Sequence, residues 1–171
     1  MRKQIIETLS KNYTKFLTSI DWNDIGYVET TKEIRSTYLT YAYLTMLKST
    51  AASKKYKYAT DYISLKAKEQ IENRDFKDLR YEHMIPKKLY IQSVLESDAK
   101  MGILTVKRVY QLLDKYWYLA TITKDEDKML GKKLKSKMPD NWQQKDIFFR
   151  YEVVGLKEHL VKNEWLYANK L

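Results

Sequence analysis

The residues with most chemical potential in this chain stand together in Tyr81-Glu82-His83-Met84-Ile85-Pro86. A carboxylate beside an imidazole offers a metal ligand and a general base in adjacent positions. Phosphodiester hydrolysis at one metal ion uses that combination: the ion sits on a non-bridging phosphate oxygen and on the leaving 3′ oxygen. A base near the ion, but not on it, takes a proton from the attacking water. His83 is one of two histidines and Pro86 one of two prolines. The other histidine, in Lys157-Glu158-His159-Leu160, lies in a charged stretch and reads as solvent-exposed. A hydrogen-bonded structural pair is the competing reading of Glu82 and His83.

The metal needs a second ligand from elsewhere. Trp117-Tyr118-Leu119-Ala120-Thr121-Ile122-Thr123 is rich in aromatic and β-branched residues and reads as a strand. Thr123 then reads as a helix N-cap, with Glu126 completing a capping box. Asp125, Glu126 and Asp127 fall in the first turn, and Asp127 can face back towards a strand packed alongside. Acids at a helix N-terminus also complement the macrodipole, which explains them without any metal. Arg80, Lys87 and Lys88 flank the box and are placed for a substrate phosphate. Lys124, Lys128, Lys132, Lys133, Lys135 and Lys137 form a cluster that would either track a phosphate backbone or make a solvated face.

Glu82-His83-x-x-Pro86 resembles the first motif of HNH (ββα-metal) endonucleases, in which an acid–histidine pair precedes a hydrophobic residue and a proline. Thr123-Lys124-Asp125-Glu126-Asp127-Lys128-Met129-Leu130 resembles that family's strand-to-helix motif, with aspartate where histidine or asparagine is usual. The resemblance implies Mg²⁺ or Mn²⁺ held by Glu82 and Asp127, with His83 as general base. It also implies a DNA endonuclease at work in bacterial or phage DNA conflict. Met138-Pro139-x-x-Trp142 and Phe149-Arg150-Tyr151-x-x-x-Gly155 resemble segments of uncharacterised bacterial proteins that carry a similar box.

The elements that must position these residues are mostly helical. Four glycines and two prolines in 171 residues argue against a sandwich or barrel. Helical spacing predicts helices over 2–20, from 30 or 31 to 48, over 56–73, within 88–96 and over 105–116. A helix from Thr123 to about 131–134 and two short helices over 146–155 and 157–168 complete the set. A break is expected over Ser49–Lys55. Residues 76–85 read as an extended piece stopped by Pro86. The expected fold is a mainly helical α+β single domain over 1–171, with a helical part (1–74), a mixed part (75–171) and a small two-stranded element near the Glu-His box.

Without cysteine there is no disulfide framework, thiolate zinc site or cysteine nucleophile. No apolar run reaches a membrane span or follows the basic N-terminus as a signal peptide would, so a cytoplasmic protein is expected. The formal net charge of +10, leaning towards the C-terminal part, calls for a polyanionic partner, of which nucleic acid is the commonest inside cells. Tyr38, Tyr41 and Tyr43, with Tyr56, Tyr58 and Tyr62, lie among lysines and read chiefly as half-buried core. Two functions stay open. One is the metal-dependent endonuclease, for which a homodimer would serve to cut both strands. The other is a non-enzymatic basic protein, a phage- or plasmid-encoded inhibitor or accessory factor, gripping nucleic acid or a nucleoprotein complex.

Overall fold

The computed structural model describes residues 2–50 and 58–163. The chain is mainly helical with one small mixed sheet, the expected α+β class. Its contacts divide it into two compact units, Met1–Thr50 with Lys87–Tyr116, and Ala51–Pro86 with Trp117–Leu171. The chain therefore leaves the first unit at residue 51, returns at 87 and leaves again at 117, whereas the sequence suggested one division after 74. Among the described residues no helix is long and apolar enough to cross a membrane.

The first unit is helical. In α1 (Arg2–Thr18) the buried stripe Ile5, Ile6, Leu9, Tyr13 and Leu17 follows helical spacing. After α2 (Ile25–Thr30), capped by Asp24, comes α3 (Lys32–Thr50), which buries Arg35, Leu39, Tyr43 and Leu47 on successive turns. A π-helical turn at Lys88–Gln92 leads into α5 (Ser93–Lys100). Gly102, at φ +69°, ends α5 with bonds from its own N–H to Ala99 O and from Ile103 N–H to Asp98 O. That left-handed closure is open to glycine at little cost. In α6 (Val106–Tyr116), Val109, Leu112, Leu113 and Tyr116 are buried.

The second unit carries β1 (Tyr62–Ser64), α4 (Leu65–Glu72), β2 (Leu79–His83), β3 (Leu119–Thr123), α7 (Lys124–Met129), α8 (Gly131–Ser136), α9 (Phe149–Val153) and β4 (Leu160–Lys162). Strand order is β2-β3-β1-β4, with β1 and β3 parallel and the other pairs antiparallel. The expected two-stranded element is thus β2–β3 within a four-stranded sheet. All five residues of β3 are buried, as its composition implies. The predicted capping box is formed: Thr123 Oγ1 accepts from Glu126 N–H, while Glu126 Oε2 accepts from Thr123 N–H at 2.8 Å. Ser64, the N-cap of α4, donates to the same carboxylate at 2.6 Å, so Glu126 ties two strand-to-helix junctions together.

Four expectations need correction. Residues 56–73 are not one helix, because Tyr62 and Ile63 pair with Ala120 and Thr121 and the helix starts only at Leu65, capped by Ser64. The helix expected over 157–168 is, where described, a 3-10 turn at Lys157–His159 followed by β4, which pairs with β1. The helix after Thr123 breaks at Gly131, where φ is +58°. Only Phe149–Val153 of 146–155 is helical. Residues 51–57, with most of the expected break and Tyr56, and residues 164–168 lie outside the described residues.

Candidate functional site

The site is built on β2, β3 and α7. In an extended strand successive side chains point to opposite faces. The register sets Glu82 opposite Ala120 and His83 opposite Leu119. Glu82 therefore shares a face with Ala120 and Met84, which belong to a core with Ile122, Leu130, Tyr151 and Leu156. His83 faces the other way with Tyr81. Its ring stands edge-on to those of Tyr81, at 5.7 Å between centroids, and Trp117, at 4.7 Å. Adjacent in sequence, the expected ligand and the expected base are separated by the sheet.

Glu82 meets Arg150. The Arg150 side chain is fully buried, and its Nη2 donates to Glu82 Oε1 and to the carbonyl of His83. Nη1 donates to Leu134 O at 2.7 Å, and Tyr151 Oη lies 3.5 Å from Nη2. The guanidinium, charged at every accessible pH, thus gathers the box, α8 and α9 around itself. Burial pushes the Glu82 carboxyl above the usual carboxylate range, against the pull of Arg150. The charge of Asp127 raises it further and that of Lys135 lowers it. The charge of Asp127 therefore reaches Glu82. Asp127, mostly buried, binds Lys135 at 2.7 Å. The cluster holds two carboxylates and two cations and is neutral within itself.

As a metal site this donor set does not fit. A divalent ion on Glu82 and Asp127 would have to displace a buried guanidinium and an ammonium, and each displaced cation would lose its partner. Among the described residues no group of three or more histidine, aspartate or glutamate side chains could hold a metal ion.

The other expected contacts are scattered. Arg80 is half-buried and donates to Leu79 O. Lys124 pairs with Asp78 at 3.3 Å and Lys128 with Asp125 at 2.7 Å. Lys87 Nζ donates to Ser36 O at 2.9 Å and Thr40 Oγ1 at 2.7 Å, and burial lowers its pKa to about 8. Lys88 and His159 are exposed. The side chains of Lys132 and Lys133 lie outside the described residues. Of the tyrosines, Tyr43 and Tyr58 are core, Tyr38 stacks on Phe16 at 4.1 Å, and Tyr41 is exposed.

Sequence reasoning passed over Arg150, named only as part of a motif. One signal pointed to it: an arginine amid Phe148, Phe149 and Tyr151 has to be buried with a counter-charge, and Glu82 was the acid already in a strand. No family model, no curated protein and no solved structure matches the chain.

Proposed function

We propose that the chain is a non-enzymatic nucleic-acid-binding protein in which the Glu-His box is a structural joint. The observation carrying this reading is the Arg150–Glu82 pair: the carboxylate that would hold a metal is spent on a buried cation, while His83 packs between two aromatic rings on the opposite face. With the box closed, the net charge of +10 is the property left to act on a partner, and it attracts polyphosphate.

The metal-dependent DNA endonuclease is a second reading, with Mg²⁺ or Mn²⁺ on Glu82 and Asp127 and His83 as base. What supports it is the Asp127 charge near Glu82, which adds to burial in raising the Glu82 carboxyl. The two readings separate when wild type and His83→Ala are incubated with supercoiled plasmid and single-stranded DNA in Mg²⁺, Mn²⁺ or EDTA. The binding reading expects both proteins to retard both DNAs and neither to cut. Metal-dependent nicking by wild type that disappears in His83→Ala would establish the nuclease instead.

A further inference from the structure

In the helical unit, α1 and α6 border an open groove of about 500 Å³. Lys3 and Lys11 of α1 and Lys107 of α6 line it and are exposed. Among the described residues no carboxylate pairs with any of these three ammonium groups. Val106 and Tyr110 form an apolar wall on the α6 side, and Met101 and Ile103, just before α6, are about 60% exposed. One acid, Glu7, lies between Lys3 and Lys11 on the turn that separates them.

Lys3 and Lys11 are eight residues apart on one helix, roughly 12 Å along its axis at about 1.5 Å per residue. Three unpaired cations beside a half-exposed tyrosine match a strand whose phosphates and base faces are both accessible, since aromatic rings stack on bases of any sequence. A duplex hides those faces and would leave Tyr110 and Val106 without a role.

We propose that this α1–α6 groove holds single-stranded nucleic acid, with Lys3, Lys11 and Lys107 on phosphates and Tyr110 against a base. The proposal rests on the binding reading above and assigns its contact surface to the helical unit, on residues outside the Glu-His box.

The test is titration of a fluorescein-labelled thymidine 20-mer with the full chain across a salt series. Variants are Lys3→Glu/Lys11→Glu/Lys107→Glu, Tyr110→Ala, Tyr110→Phe, Glu7→Gln and, in the other unit, Lys124→Glu/Lys128→Glu. The triple variant should bind at least tenfold more weakly, and its log–log salt slope should shrink by about 2, at roughly 0.7 per lost phosphate contact. Tyr110→Ala should lose about tenfold, with Tyr110→Phe close to wild type. Glu7→Gln should bind two- to threefold tighter and, because it removes only a repulsion, needs no loss of folded protein to be read. Lys124→Glu/Lys128→Glu should stay within about twofold.

Wild-type binding left intact in the triple variant, or lost equally in the Lys124/Lys128 variant, overturns the groove while the binding reading stands. Wild type that ignores the oligonucleotide and plasmid overturns both. An anionic phosphatidylserine vesicle arm decides the remaining case: groove-dependent binding to vesicles but not to DNA overturns the nucleic-acid assignment.

Discussion

In the sheet-bearing unit the guanidinium of Arg150 is wholly enclosed and meets Glu82, the His83 carbonyl and the Leu134 carbonyl. In the helical unit Lys3, Lys11 and Lys107 stand exposed around a groove that contains a single acid. Lys124 and Lys128, beside the box, are also exposed, but each is paired with an aspartate. The residue types that suggest chemistry are thus consumed in holding β2, α8 and α9 together. Lys3, Lys11 and Lys107 belong to no such motif and, among the described residues, pair with no carboxylate. A buried charge must find its counter-charge within the fold, and doing so removes it from the surface chemistry. An exposed lysine is under no such demand.

The largest effect expected from this contrast is on stability. Arg150→Met leaves Glu82 buried without its cation and should cost about 3–5 kcal/mol in urea unfolding. Arg150→Met/Glu82→Met should recover most of that loss, because both charges are then gone. A near-neutral Arg150→Met would break the comparison by showing that the pair does not hold the unit together.

A smaller effect sharpens it from the other side. Lys87, which follows the box directly, is tethered to backbone and hydroxyl oxygens instead of to an acid. Burial holds its pKa at about 8 instead of 10.5. Between those values the unfolded chain binds more protons than the folded one, so Lys87 makes stability rise with pH over that window. Wild type should therefore gain on Lys87→Met between about pH 8 and pH 10.5, read as the difference of their urea midpoints. A difference that stays flat or narrows would show that Lys87 is solvated like an ordinary surface lysine.

Local signals made much of this fold readable. The aromatic and β-branched run at 117–123 and the Thr123–Glu126 capping box are decided within a few residues; the strand forms over Leu119–Thr123 and the box forms as expected. The stripes of α1 and α6 repeat over several turns, and Pro86 marks the end of the box. The short strands β1 and β4 were not readable, because three residues carry no period and exist as strand only through pairing with partners far along the chain. The Arg150–Glu82 pair spans 68 positions and has no spacing rule. The separation of Glu82 from His83 was within reach. Once residues up to the box are read as extended, alternation places neighbours on opposite faces, and that rule by itself weighs against a shared site.

The carboxylates of Glu82 on β2 and Asp127 on α7 are neutralised from within, by Arg150 and Lys135. Titration of the full chain with Mn²⁺, followed by electron paramagnetic resonance and repeated on Glu82→Gln, tests it directly. Wild type and variant should leave the free Mn²⁺ signal equally undiminished at millimolar protein. Stoichiometric uptake of Mn²⁺ by wild type, lost in Glu82→Gln, would contradict it and restore the nuclease reading.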